Sequence, residues 1–413
     1  MRHEYTFGKV MDEVRELVRT GLTLNPDSGL YVHMSRPTFG EDEIVEAIDS
    51  LIRQDVTMGS KVEQFEKDFS EYIGSKHAIM VNSGSTANLL MMAAATNPDY
   101  QKLKPGDEVI VPALTWGTTL WPVIQMGCVP VLVDCNLSDL NVSTDKVRKA
   151  ITKKTKAIFV AHILGAAADM GWLNAVAEKN DLLLLEDACE SLGTEYNGKK
   201  VGTFGDMGSY SFFFSHHITT IEGGMVVTDD DKLADLLRCL RAHGWTRHLK
   251  DKSVEEEYPH IDSRFMFCNV GYSVRPTEVQ GAFGLHQLRK LDDFNRKRVS
   301  VAEKLREALS GLDVTLTRHC KGHTWFGFPV ILNNGSRDEL CKKLKDSYID
   351  TRPIIAGNLA EHPALEKFDH RAGNLVNAQF IMDNGFYITT QLTDEEIKRI
   401  TTIIRMFLCL ERY

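Results

Sequence analysis

The chain has 413 residues, 43% hydrophobic and 25% charged, with a formal net charge of −9, values that fit a folded protein with two or three domains' worth of core. The acidic balance argues against nucleic acid as the main partner, because a phosphate backbone needs a basic face, yet it leaves room for a small anion in a local basic pocket. The start of the chain, MRHEYTFGKVMDEV, lacks the apolar core of a signal peptide, and no apolar run reaches the roughly 18–20 residues of a membrane span.

The eight cysteines (128, 135, 189, 239, 268, 320, 341 and 409) are scattered, with no C-x-x-C pair. Neither a zinc knuckle nor a disulfide framework is indicated, and reduced thiols in the cytoplasm are the simplest reading.

In chain order, apolar spacing predicts helices over 9–21, 41–54 and 60–74, the last stopped by Gly74. Short β-rich runs follow at 77–82, 107–114, 129–135, 157–164 and 182–188, with helix-like stretches such as 86–96 and 143–152 between most of them. Apolar strands alternating with helices predict an α/β protein with a mostly parallel sheet covered on both faces. SYSFFF (209–214) and GGMVVTDD (223–230) read as further strands of that sheet. From about 315 onward a strand over 324–332, a helix over 338–347 and a strand over 384–389 predict a smaller α+β domain. The expected division is an N-terminal helical segment (1–55) packing with the small domain, a large domain (56–295) and a small C-terminal domain (296–413).

Ligands of open parallel sheets bind beyond the carboxyl ends of the strands, and four predicted strand ends carry notable residues. In VNSGSTAN (81–88), Gly84, Ser85 and Thr86 open a helix whose N–H groups suit a phosphate; a plain N-cap turn explains the same residues. Trp116, just past the second run, suits stacking on a flat ring or simply a core position. LLLLEDACES (182–191) delivers Glu186, Asp187 and Glu190 together. A carboxylate there can keep a pyridine nitrogen protonated, whereas a metal site would want neighbouring histidines. The fourth end is SYSFFFSHHITTIEGG (209–224), where His216 and His217 precede a Gly-Gly turn. Spacing alone leaves their role open.

Taken together, these segments resemble the sugar aminotransferase family of fold-type-I pyridoxal-phosphate enzymes over roughly 35–410. The matching motifs are N-S-G-S-x-A-N (82–88), P-x-L-T-W (112–116), E-D-A-x-E (186–190), G-x-x-V-G-T-F-G-D within 197–206, and S-F-x-x-x-H (211–216) before E-G-G. The resemblance implies a seven-stranded, mostly parallel sheet and a pyridoxal 5′-phosphate or pyridoxamine 5′-phosphate cofactor. It implies that Gly84, Ser85 and Ser211 hold the phosphate, that Trp116 stacks on the ring and that Asp187 pairs with the ring nitrogen. Glu190 would lie near the ring hydroxyl or the catalytic histidine. A homodimer with shared active sites is implied as well. Ser273 stands where relatives carry an asparagine that reaches the partner subunit's cofactor phosphate, and a shorter serine puts that contact in doubt.

One departure bears on function. Relatives carry a lysine at position 216 that forms a Schiff base with the cofactor, and His216 cannot form one. A histidine there resembles the dehydratase branch, which makes 3-deoxy sugars. The implied activity is removal of the C3 hydroxyl from a nucleotide-linked 4-keto-6-deoxy sugar, with GDP as the expected nucleotide, L-glutamate as amino donor and ammonia released. His216 would move protons, since an imidazole with an ordinary pKa of about 6.5 can act both as base and as acid. By register His216 is preferred over His217, and Lys199 and Lys200 are read as a solvated turn.

A related dehydratase type carries an iron–sulfur cluster. Cys189 stands in the place of its first ligand, but the stretch after His216 where three more should cluster holds only Cys239 and Cys268. A cluster normally needs four ligands, so no cluster and no metal are expected. Arg247 and Arg275 are candidates for the diphosphate of the nucleotide sugar, with a structural ion pair equally open. An aminotransferase and a catalytically inert binding paralogue remain as alternative readings.

Overall fold

The computed structural model describes residues 7–23, 30–249 and 251–410. Within the expected N-terminal segment, residues 1–6 and 24–29 lie outside the described residues, as do 411–413 of the expected small domain. Helices α1 (Phe7–Thr23), α2 (Glu41–Arg53) and α3 (Ser60–Ile73) lead in. α3 ends at Gly74 with φ 82°, the left-handed stop that glycine adopts without steric cost.

The alternating pattern then unfolds as β1 (His77–Val81), α4 (Gly84–Ala95), β2 (Glu108–Pro112), α5 (Gly117–Gln125), β3 (Val129–Val133), α6 (Thr144–Ala150), β4 (Thr155–Ala161), α7 (Met170–Asn180) and β5 (Leu183–Asp187). A small hairpin, β6 (Glu195–Tyr196) and β7 (Lys199–Lys200), precedes β8 (Met207–Ser211) and β9 (Gly224–Thr228). α8 (Asp231–Arg241), α9 (Ser253–Glu257) and the 32-residue α10 (Glu278–Leu309) follow. The remainder is β10 (Val314–Thr315), β11 (Gly327–Leu332), α11 (Arg337–Asp346), β12 (Arg352–Pro353), β13 (Arg371–Ala372), α12 (Val376–Asn384), β14 (Gly385–Thr389) and α13 (Asp394–Leu410).

The large sheet has the order β1-β9-β8-β5-β4-β2-β3-β13. β9 runs antiparallel to both neighbours, and every other pairing is parallel. Seven strands match the expected sheet. The eighth, β13, is a two-residue stretch from the C-terminal part of the chain that pairs with β3 and covers an otherwise open edge. The second sheet, β10-β11-β14-β12, is antiparallel. No described helix is long and apolar enough to cross a membrane.

Side chains alternate across β5. Leu183 and Leu185 enter the core shared with α4, while Leu184 enters the core shared with α6 and α7. The expected boundary at 295/296 falls inside α10. Its first half meets α2, where Lys290 and Gln287 both reach Glu43 (2.6 and 2.8 Å). Its second half sends Val301, Ala302, Leu305 and Leu309 into the core of the second sheet. α2 therefore packs on the first half of α10, and residues 30–36 reach the elements around the second sheet, through the Val32–Ile349 bridge, the Tyr31–Asp350 hydrogen bond and the Arg36–Glu396 ion pair.

Candidate active site

The alternation along β5 continues into its last two residues and separates their roles. Glu186 follows Leu184 to one face, where it is fully buried. There it accepts the backbone N–H groups of Gly202, Phe204 and Gly205 (2.6–2.8 Å) and lies 3.0 Å from Nε2 of His162. The glycine-rich 197–206 motif thus serves to wrap backbone around this carboxylate. Asp187 follows Leu185 to the other face and reaches a cavity of about 580 Å³ at the carboxyl ends of the strands. Its Oδ2 accepts Nδ2 of Asn88 (2.7 Å) and Oγ1 of Thr119 (2.8 Å), and its Oδ1 accepts the Cys189 N–H (3.1 Å). Ser209 in turn donates to Asn88 Oδ1 at 2.5 Å. Three donors hold this carboxylate in one orientation.

The N-terminus of α4 forms another wall. Ser83 caps it by accepting the Thr86 N–H, leaving the first-turn N–H groups of Gly84 and Ser85 without helical partners. A Cβ on Gly84 would lie 2.5 Å from Cβ of Ser211 and 3.0 Å from Sγ of Cys189, so only glycine permits this approach. Ser85, Ser211 and Thr118 bring hydroxyls to the same cavity. Free N–H groups, a helix dipole and hydroxyls together make an anion site. Trp116, 59% exposed, stands at the wall with an uncovered ring.

His216 lies in the same cavity, its ring edge-on to Phe326 (centroids 5.0 Å) and to Phe213 (6.0 Å). Its Nδ1 has no protein partner. The ordinary imidazole pKa expected from the sequence is not kept. Desolvation first, and then the charge of Arg298, push it down to about 3, so the resting ring is a neutral base. His217 is fully buried and does not line the cavity; burial holds it neutral too. Glu190 is driven the opposite way. Desolvation pushes its carboxyl up to about 8, against the hydrogen bond from the Leu164 N–H and with a contribution from Asp187.

The sequence-predicted residues Gly84, Ser85, Trp116, Asp187, Glu190, Ser211 and His216 all line this one cavity. Ser273, Arg247 and Arg275 do not. Ser273 is exposed beside Ala242. Arg247 and Arg275 both sit over the Trp245 ring, at 4.9 and 5.7 Å, and Arg247 donates to the carbonyl of Arg264. Neither forms an ion pair among the described residues, so the structural alternative is a cation–π cluster. Lys199 and Lys200 cover Phe204 and Tyr72. Among the described residues, no lysine lines the cavity.

Sequence reasoning assigned no role to Asn88, Thr119, Arg352, Tyr387 and Arg298. Asn88 closes the N-S-G-S-x-A-N motif without showing its contact with Asp187, and Thr119 reads as an ordinary helix residue. Arg352 and Tyr387 come from the C-terminal part of the chain, far in sequence from most of the lining.

A mostly parallel α/β sheet whose strand ends gather an anion-binding helix start, a free aromatic face and an oriented carboxylate is the architecture of a fold-type-I pyridoxal-phosphate enzyme. The model of the DegT/DnrJ/EryC1/StrS aminotransferase family matches residues 37–405, and the chain belongs to that family. It is 42% identical over 386 residues to GDP-4-keto-6-deoxy-D-mannose 3-dehydratase of Yersinia pseudotuberculosis, covering 90% of this chain and 98% of that one. A solved GDP-4-keto-6-deoxymannose-3-dehydratase with a trapped PLP-glutamate geminal diamine superposes with a TM-score of 0.85 at 36% identity, over 90% of this chain and 99% of that one. A mutant of such an enzyme with bound GDP-perosamine gives a TM-score of 0.85 at 36% identity, over 91% and 100% of the two chains.

Proposed function

We propose that the protein is a pyridoxamine-phosphate-dependent 3-dehydratase that removes the C3 hydroxyl of a GDP-linked 4-keto-6-deoxy sugar, with L-glutamate as amino donor and ammonia released. The observation that carries the reading is an imidazole and, among the described residues, no lysine in a cavity otherwise furnished for the cofactor. The fit of that cofactor rests on the Gly84 clearance, the unpaired N–H groups of α4 and the fixed Asp187 carboxylate. Gly84, Ser85 and Ser211 would hold its phosphate, Trp116 would cover its ring and Asp187 would face its nitrogen. When bound, the cofactor supplies an amine for the C4 ketone and a conjugated ring that accepts electrons.

The chain's own residues supply proton movement and exclusion of water. His216, neutral at rest, accepts a proton on a ring nitrogen and, as imidazolium, hands it to the departing C3 hydroxyl, which leaves poorly as hydroxide. A desolvated imidazolium is a stronger acid than one in water, which favours that second transfer. Glu190, uncharged at neutral pH, can donate a hydrogen bond where an ionised carboxylate could only accept.

Incubation with glutamate, pyridoxal phosphate and a panel of nucleotide 4-ketosugars tests the reading. Mass spectrometry should show loss of one oxygen from the GDP-linked sugar; turnover of other nucleotides alone would reject the GDP assignment. An aminotransferase would instead leave a stable 4-amino sugar, and an inert binding protein would not accept the amino group of glutamate.

The assembly we propose is a homodimer in the cytoplasm. Trp116, Phe213 and Ile221 are 59, 42 and 49% exposed at or beside the cavity mouth, and Val270 is 90% exposed. Arg247, Ser273 and Arg275, outside their own cavity, would then serve the partner's. Sedimentation of the holoenzyme as a monomer would reject the dimer.

A further inference from the structure

Arg298, in α10, is 3% exposed and forms no ion pair among the described residues. Its Nη1 donates to the Phe326 carbonyl (3.1 Å) and to Oγ1 of Thr390 (3.0 Å), while its Nε has no partner. A buried cation without a carboxylate is costly. Phe326 connects it to the site: the ring whose own carbonyl the guanidinium holds lies edge-on to His216 at 5.0 Å and tilted against His217 at 5.7 Å.

We infer that Arg298 is a positioning residue whose carboxylate-free guanidinium, behind Phe326, holds His216 as the neutral imidazole that accepts the first proton. The inference rests on the proposed dehydratase role of His216 and names the charged group that adds to desolvation in keeping the ring neutral.

Charges of both signs also face His216 from its cavity. Asp187, Glu190, Glu222, Arg352 and Tyr387 share its cavity. Glu190 is uncharged at neutral pH because burial raises it, and burial likewise holds Tyr387 in its neutral form. The carboxylates of Asp187, which three neutral donors orient, and of Glu222 act against the field of Arg298. Arg352 adds positive charge. Behind the ring, His217 and His323 are kept neutral by burial. Arg298 itself drops to about 10 on burial and so remains charged at neutral pH.

The test is histidine-selective NMR of the cofactor-loaded protein, with the His216 signal assigned by its loss in His216→Gln. In wild type, His216 should titrate below the ordinary value of about 6.5. Arg298→Gln keeps a donor for the Phe326 carbonyl but removes the charge, and should raise the protonation constant of His216 about tenfold, roughly one pKa unit. Arg298→Lys should restore the wild-type midpoint. A wild-type His216 titrating at or above about 6.5 would overturn the inference even if Arg298→Gln fails to fold. So would a folded Arg298→Gln with an unmoved midpoint. Either result is independent of which sugar is turned over, so it stands apart from failure of the dehydratase reading.

Discussion

The two carboxylates that end β5 are neighbours in sequence and opposites in use. Glu186 faces the core beside α7 and satisfies three backbone N–H groups and His162, with no exposure to the cavity. Asp187 faces α4 and α5 and opens on the cavity, where its partners are side chains that orient it. One side of the strand end stores stability and the other presents charge. The strand's two-residue period produces the division, and the same period explains why an E-D pair, and not a single acid, stands there.

Substitutions on the two sides should separate activity from stability. The largest effect belongs to the cavity side: His216→Ala should lower the rate of hydroxyl elimination by about 10²–10⁴-fold while leaving the unfolding midpoint close to wild type. On the other side, Glu186→Ala strands three buried N–H groups and should cost on the order of 3 kcal/mol, read as a lowered denaturant midpoint. Equal stability of the two variants would erase the distinction. Gly84→Ala forces a Cβ against Ser211. Overpacking of about 1–3 kcal/mol should weaken cofactor binding roughly ten- to a hundredfold, measured by titrating the absorbance of pyridoxal phosphate.

The remaining expected effect is a pH dependence. Glu190 has a folded pKa of about 8 against an ordinary 4.5, so the folded state binds a proton that the unfolded state has released between those values. Its contribution is fully present below about 4.5 and is lost as pH rises through about 8. Glu190→Gln should flatten the decline of stability over that interval. Parallel pH profiles for wild type and variant would show that Glu190 ionises freely in the folded protein.

Much of the frame was legible because it is written in local periodicity. The strands at 77–81, 108–112, 129–133, 155–161 and 183–187 are apolar runs between helical repeats, and the stop at Gly74 is a local signal. β13 was not legible, since two residues carry no period and its pairing with β3 joins positions more than 200 apart. The expected boundary at 295/296 divides α10, whereas one continuous helix serves both cores.

At the site, Asp187 and Glu190 stood out because a buried strand ended in acids. His216 stood out only beside the family's motifs, since the adjacent His217 has the same chemistry and only the fold shows that it lies outside the cavity. Asn88 closes the 82–88 motif without showing its partner, and Thr119 and Arg298 gave no signal. Each is an ordinary helix residue whose meaning comes from a partner 28 to 99 residues away.

The account turns on a histidine standing where an amine-forming lysine would keep nitrogen on the sugar. Ammonia released per sugar consumed, measured in one reaction with glutamate, pyridoxal phosphate and a GDP-linked 4-keto-6-deoxy sugar, tests this directly. The account predicts one ammonia for each sugar that loses its C3 hydroxyl. Consumption of the sugar with its nitrogen retained at C4 and no ammonia released would contradict it.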